Sequence, residues 1–236
     1  MEIIEIMKDA LVYPINNVKA LVLYLILGVI LGIVVALTFA AIFAGISDGN
    51  VIEVFGFGII GGLISIILCF IVSGYQLDIV KYGIERNDNA PGIDIIRQTF
   101  NGVKLLVVYL AYFIIPIIIS AILGLIFKDW LATILMIVLF IIFAMAAFMA
   151  QCRLAKTEDI MDALSIGDAL GDITGVGIVN LILFALVVVV VTFILLIIAG
   201  FITQLNSTVG GIVEGIIGIY LAFFVSRATG LLYSNV

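Results

Sequence analysis

Glu214 is the one ionisable side chain that lies well inside a long apolar run of this 236-residue sequence. It stands five residues, or ~7.5 Å of helix, past the start of the last run. A central Asp, Lys or Arg in a bilayer costs ~2.5–3.5 kcal/mol on insertion scales, so a buried ionisable group is a candidate for function. Two interpretations remain open: a protonatable or cation-binding site in an internal cavity, or a carboxylate that reaches the outer interface or stays protonated in a packed contact.

Two basic residues, Lys128 and Arg227, are candidates to pair with Glu214. Lys128 is the better candidate, because it is the only Lys or Arg in the three short turns between apolar runs. Arg227 lies thirteen residues, or ~20 Å of helix, from Glu214 and is expected to extend to the inner membrane surface instead. Glu214 and Lys128 therefore form the candidate intramembrane polar site.

Small residues at four-residue spacing occur beside Glu214 and in two earlier apolar runs. This spacing lets helix backbones approach each other in lipid, although glycine is also simply frequent in membrane helices. The predicted helix-packing positions are Gly28, Gly32, Gly58, Gly62, Gly211, Gly215 and Gly218. Because Glu214 lies three residues from Gly211 and four from Gly218, it is expected to face other helices and not lipid.

Residue types that usually catalyse reactions or bind metals are scarce. The chain has no His, the commonest general base and metal ligand. Cys69 and Cys152 lack the spacing of a metal or redox motif and fit small apolar filler better. No catalytic residue, metal site or cofactor is predicted, and the chain is not expected to be an enzyme.

The charge balance is acidic, with a net charge of −6. A nucleic-acid partner is not expected, since such partners need clustered Lys and Arg. One acidic segment could bind a hard cation, but the pattern of a calcium loop is absent and a solvated face is favoured. Its acidic residues are Glu158, Asp159, Asp162, Asp168 and Asp172.

The composition is that of an integral membrane protein. Hydrophobic residues make up 65% of the chain and charged residues 11%, against about 45–50% and about 25% in soluble domains. Six runs are long enough for a helix to cross the ~30 Å hydrocarbon core. They are residues 20–46, 51–76, 103–127, 130–150, 176–203 and 209–232.

One sequence motif occurs twice and organises the chain. Residues 16–25 and 101–110 are identical at seven of ten positions, and residues 175–179 resemble them more weakly. Each copy follows an amphipathic segment and opens an apolar run, which predicts three repeats of a surface helix followed by a membrane hairpin. We expect one membrane domain, 1–236, with repeats at about 1–85, 86–153 and 154–236. An even number of spans in each repeat makes the repeats parallel, unlike the inverted repeats of many transporters.

The surface segments are predicted from helical spacing and from breakers. The first, residues 1–13, is expected to end at Pro14. The second is expected at 93–101, before a membrane helix that Pro116 should kink. The third, 151–174, has Thr157 as its predicted N-cap. Between the first two segments, an exit helix should place Asp78, Lys81 and Glu85 for pairing on a water-facing side.

The distribution of Lys and Arg predicts the orientation in the membrane. Nine of the ten lie in the amino-terminal segment, the long connections and the carboxyl end, and only Lys128 lies in a short turn. Because basic residues stay on the cytoplasmic side, both termini and all three surface segments are expected to be cytoplasmic, with the chain in the cell membrane.

Three features occur in order along the chain: Gly74 and Tyr75 at the end of a membrane helix, a loop through Pro91, and Asn101-Gly102-Val103-Lys104 before a helix with Pro116. In these features the chain resembles an archaeal family of polytopic membrane proteins catalogued as domain of unknown function 4013. The resemblance covers most of the chain. The family pattern has an aromatic residue closely after the loop proline, where this chain has Gly92 and Ile93. The resemblance implies a location and a topology, and no activity.

Two functions remain from the sequence. The first is a membrane scaffold or lipid-interacting protein with three amphipathic helices on the cytoplasmic face. The alternative is a small-solute or ion transporter with a site near Glu214. The lipid bilayer is the predicted partner in both, and a homo-oligomer or a membrane-protein partner is left open.

Overall fold

The computed structural model describes residues 2–126 and 130–236 and is built from helices, with no strand in these ranges. The described helices are α1 (Ile3–Asn16), α2 (Val18–Ser47), α3 (Val51–Ile84), α4 (Ile95–Ile126), α5 (Trp130–Thr157), α6 (Ile160–Ala163), α7 (Ile166–Val176), α8 (Ile178–Leu205) and α9 (Ser207–Tyr233). Helices α2, α3, α4, α5, α8 and α9 are long and apolar enough to cross a membrane. The prediction of an all-α protein with six spanning helices is confirmed.

The spanning helices pair as hairpins, α2 with α3, α4 with α5, and α8 with α9. In two of the hairpins, a side chain caps the start of the second helix. Such a cap stabilises the helix because it accepts hydrogen bonds from backbone N–H groups that have no partner within the helix. Asn50 accepts from the N–H of Glu53 at 3.3 Å, and Asn206 accepts from those of Thr208 and Val209 at 3.1 Å. The helix boundaries therefore follow from short polar turns.

The predicted boundaries of the surface segments are partly wrong. Pro14 lies inside α1, and the chain turns at Asn17. No separate surface helix precedes the third span, because α4 runs unbroken from Ile95 to Ile126 and contains Pro116. The third segment forms two helices, α6 and α7. Thr157 ends α5 instead of capping a helix, and Asp159 is the N-cap of α6, accepting from a backbone N–H at 2.8 Å.

The packed core lies at one end of the bundle. There α1 packs on α9, α6 and α7 pack on α5, and α3 packs on α9. Side chains such as Ile6, Val80, Tyr112 and Phe224 are fully buried in this region. By contrast, only 6% of the most apolar part of α2 or α3 is buried. Most of the length of the spans therefore presents apolar side chains outward, as expected for helices in lipid.

The helices approach most closely at glycines near this core. A Cβ at Gly74 would overlap the backbone of Gln98, and one at Gly102 would overlap the backbone of Phe70, so α3 and α4 touch backbone to backbone. A Cβ at Gly83 would lie 2.9 Å from Cα of Gly230, where α3 crosses α9.

The seven glycines predicted for helix packing lie mostly elsewhere. Gly28 lies against Ile219, and Gly58 lies against Ile42. At the other five positions no described atom lies within 4 Å of where a Cβ would stand, so these glycines do not pack helices together within the described chain. They are Gly32, Gly62, Gly211, Gly215 and Gly218.

Candidate functional site

Charged side chains gather at the packed end of the bundle, in three clusters that we call the charged layer. The clusters are named after Asp78, Arg227 and Arg153. Each of these residues lies near the end of the second helix of a hairpin, and each pairs with opposite charge on a segment outside that hairpin.

The Asp78 cluster joins α3 to α4. Asp78 is 2% exposed, and Arg97 donates to both of its oxygens, at 3.0 and 2.8 Å. The buried amide of Gln98 also donates to Asp78, at 3.0 Å, and to the carbonyl of Gly92. A bidentate, charge-assisted pair is among the strongest hydrogen-bonded arrangements in proteins. The prediction that Asp78 lies on a water-facing side is therefore wrong.

Glu158 connects this cluster to α5. Lys81 donates to its carboxylate at 2.7 Å, and Lys104 donates to its backbone carbonyl at 2.8 Å. The Lys81 hydrogen bond, helped by the charges of Lys81, Arg97 and Lys104, holds the pKa of Glu158 below its ordinary value. Its φ of 57° lies in the left-handed region, which costs a non-glycine residue ~1–3 kcal/mol and persists only where the surroundings hold it.

The Arg227 cluster joins the two ends of the chain. The Arg227 side chain is 1% exposed and pairs with Asp9 of α1 at 2.8 Å and with Asp88 at 2.7 Å. It also donates to the carbonyl of Asn87 and lies 4.8 Å from the ring centre of Tyr13. Burial raises the pKa of Tyr13 to about 12, so the ring faces the cation in its neutral form. Arg227 therefore does not extend as a free side chain, because its guanidinium is buried and paired within the protein.

The Arg153 cluster fixes α6 and α7 to the end of α5. Arg153 pairs with Asp162 at 2.7 Å, Asp172 at 3.1 Å and Asp168 at 3.3 Å. The hydroxyl of Tyr233, in α9, donates to Asp172 at 2.6 Å. The acidic segment is thus neither a solvated face throughout nor a cation site, since three of its carboxylates are turned toward one guanidinium.

The layer closes a ring of connections. The Asp78 cluster ties the first hairpin to the start of the second, and the Arg153 cluster ties the second to the segment before the third. The Arg227 cluster ties the third hairpin back to α1. Chemically, this arrangement neutralises charges against one another and holds helices in place.

The predicted intramembrane site lies away from this layer. The side chain of Glu214 is exposed, and it accepts a hydrogen bond from the Thr203 hydroxyl of α8 at 2.7 Å. Lys128 lies outside the described residues. Of the two cysteines, Cys152 is buried and Cys69 is exposed, and both are free thiols.

A groove of about 490 Å³ lies beside the layer, where α1 meets α2. We call it the Lys19 groove. Its lining comes from the turn between these helices and from the loop before α4, and it comprises Asn16, Asn17, Val18, Lys19, Ala20, Leu23, Tyr75, Asn89, Ala90, Pro91, Gly92 and Ile93.

The charged layer is not predictable from local sequence, because long charged side chains are ordinarily expected to reach water. Arg227 is paired with a residue 218 positions away, and no local pattern reports such a contact. One signal was available: Arg97, Gln98 and Asn101 share one face of a helix whose other face carries Ile96 and Phe100. In lipid the apolar face turns outward, so the polar face marks the protein interior.

Comparison with known proteins gives a family and no activity. Residues 57–204, more than half of the chain, match a family model described as "Protein of unknown function (DUF4013)". No curated protein and no solved structure matches the chain. The matched range includes Asp78, Arg97 and Arg153 of the charged layer, and Pro91 of the groove. The chain belongs to the DUF4013 family of proteins of unknown function.

Proposed function

We propose that this protein is a non-enzymatic membrane scaffold that holds a folded platform, the charged layer, against the cytoplasmic face of the cell membrane. The observation that carries the proposal is the contrast between the two ends of the molecule. Buried ion pairs and a packed core concentrate at the end with α1, α6 and α7, while most of each span is exposed. A polar layer held together by ion pairs, on membrane helices that are mostly exposed, suits a protein that presents a surface.

The orientation is part of the proposal. The clusters bring Arg97, Arg153 and Arg227 to one end of the bundle, together with Lys81 and Lys104. Since basic residues are retained on the cytoplasmic side, this end and both chain termini are assigned to the cytoplasm.

Contact with lipid is expected from apolar side chains at the level of the layer. Ile4 and Ile15 of α1 are 65% and 63% exposed, and Ile96 and Phe100 of α4 are 72% and 65% exposed. The opposite face of α1 packs on α9 instead, through residues such as Ile6 and Ala10. The platform is therefore proposed to rest at the interface with its rim in the lipid, and not to insert each amphipathic helix separately.

The test is reconstitution of the full chain in phospholipid vesicles, with vesicle shape and ion flux measured on the same samples. We expect narrower vesicles as the protein density rises, without flux above that of protein-free vesicles. Phe100→Ser should weaken the effect on shape, whereas Phe55→Ser, at an equally exposed position near the other end of the bundle, should preserve it. Unchanged vesicle shape at all densities contradicts the proposal.

Transport is the second candidate, and the Glu214–Thr203 hydrogen bond is the observation that favours it. The test is Glu214→Cys in a background with Cys69→Ser and Cys152→Ala, treated with a membrane-impermeant thiol reagent from either side. Rapid labelling that a solute protects against would place residue 214 in an aqueous path and favour transport. No labelling from either side would favour the scaffold.

A further inference from the structure

The Lys19 groove has walls that hydrogen bonds fix in place. The amide of Asn17 donates to the carbonyls of Tyr13 and Asp88, each at 3.0 Å, and accepts from the N–H of Ala90 at 2.8 Å. The buried hydroxyl of Tyr75 donates to the carbonyl of Pro91 at 3.1 Å. The groove is therefore formed before any ligand arrives, which lowers the cost of ordering on binding.

Lys19 is left without a partner inside the chain. Among the described residues, seven of the nine Lys and Arg side chains make an ion pair, a hydrogen bond or a ring contact. Lys8 and Lys19 make none. Lys19 is exposed, so its ammonium can reach an anionic partner outside the chain.

The two unpaired lysines differ in their surroundings. Lys8 lines a neighbouring groove of about 380 Å³ together with the carboxylates of Asp9 and Asp88, which oppose the binding of an anion. In the part of the chain that the structure describes, no carboxylate lines the Lys19 groove. Its other side chains include Val18, Leu23 and Ile93, which are 52%, 47% and 43% exposed. Lys19 therefore stands between a polar wall and an exposed apolar surface at the start of a spanning helix.

We propose that the Lys19 groove binds an anionic glycerophospholipid of the same leaflet, with its phosphate at Lys19 and an apolar chain along Leu23 of α2. The anionic head group of such a lipid matches the polar wall with Lys19, and its apolar tail matches the exposed apolar surface. Lys19 lies at the start of a spanning helix, which is the depth at which lipid head groups lie. This inference rests on the proposed lipid-contacting platform and names the lipid class that it recognises.

The experiment is native mass spectrometry of the full-length protein titrated with phosphatidylglycerol or phosphatidylcholine of the same acyl chains. We expect the wild type to retain phosphatidylglycerol in preference. Lys19→Gln should weaken phosphatidylglycerol binding about fivefold, the contribution of one basic residue near the membrane surface, and leave phosphatidylcholine binding unchanged. Lys8→Gln is the matched control and should change either affinity less than about twofold.

A second variant tests the groove and keeps the charge. A Cβ at Gly92 would meet no described atom within 4 Å, so Gly92→Phe can fill the groove while Lys19 remains. We expect it to lower the number of tightly bound phosphatidylglycerol molecules by one.

Equal losses in Lys8→Gln and Lys19→Gln would indicate nonspecific attraction and overturn the proposal, as would unchanged binding in Lys19→Gln or Gly92→Phe. Vesicle shape and flux are separate measurements, so a platform without this lipid site remains distinguishable from a protein that is no scaffold.

Discussion

The Arg227 guanidinium is the most deeply buried charge at the packed end, and its contacts explain why the chain termini meet. We predict that Arg227→Gln lowers the free energy of unfolding by about 1–3 kcal/mol, because the carbonyl of Asn87 and the ring of Tyr13 lose the buried cation. The carboxylates of Asp9 and Asp88 are 32% and 86% exposed, so they keep contact with water. The measurement is thermal or chemical unfolding in detergent. Arg86→Gln is the control and should cost less than about 1 kcal/mol, because among the described residues the Arg86 side chain makes only exposed hydrogen bonds, to Ser234 and Asn235.

A pH prediction follows from Glu158. Its pKa is lowered in the folded state, so its contribution to stability is present above the unfolded pKa of about 4.3 and is lost as the pH falls through the folded pKa. Glu158→Gln should therefore be less stable than the wild type at pH 7 and equal to it at strongly acidic pH. Unfolding midpoints measured across this range check the convergence.

The control for this pH series is Glu85→Gln, which removes an exposed carboxylate that makes no ion pair among the described residues. The unfolding midpoint of Glu85→Gln should stay close to that of the wild type at every pH. If the unfolding midpoints of Glu158→Gln and the wild type still differ below the folded pKa of Glu158, the stabilising ion pair assigned to Lys81 and Glu158 is contradicted.

At the scale of elements, glycines decide how closely α3 and α4 pack. We predict that Gly102→Ala lowers the free energy of unfolding by ~1–3 kcal/mol. The new methyl group would overlap the Phe70 backbone, and relieving the overlap requires the two helices to move apart. Gly62→Ala is the matched control in open space. It should be neutral or stabilising by up to ~1 kcal/mol, since alanine favours helix. Similar unfolding midpoints for the two variants would refute the close approach.

The unbroken α4 shows why a surface helix was predicted where none exists. Amphipathicity at 93–101 was interpreted as a helix lying on the membrane, with its polar side toward water. In the structure the same pattern belongs to the first turns of a span, and Gln98 and Asn101 face the protein interior. Periodicity reports that a helix has two faces, but the environment of each face is a property of the assembled bundle.

At the scale of the whole molecule, the proposed orientation predicts sidedness. In a chain with Cys69→Ser and Cys152→Ala, Glu85→Cys should react with an impermeant thiol reagent only from the cytoplasmic side. Asp48→Cys, at the tip of the first hairpin, should react only from the opposite side. Both positions are exposed, so access to the reagent is matched. The reverse pattern of labelling would invert the molecule and place the charged layer outside.

The six spans are predictable from the amino-acid sequence, because a helix in lipid must satisfy its backbone hydrogen bonds within its own apolar run, and the length of that run can be read locally. The polar turns at Asn50 and Asn206 are also encoded locally, because each of these side chains caps the helix that follows it. The positions of the charged side chains depend instead on the assembled fold. A long charged side chain either reaches water or pairs with an opposite charge inside the protein. Both arrangements are compatible with the same local sequence. For Arg227 the choice depended on Asp9, which lies near the other end of the chain and comes within 2.8 Å only after the hairpins assemble.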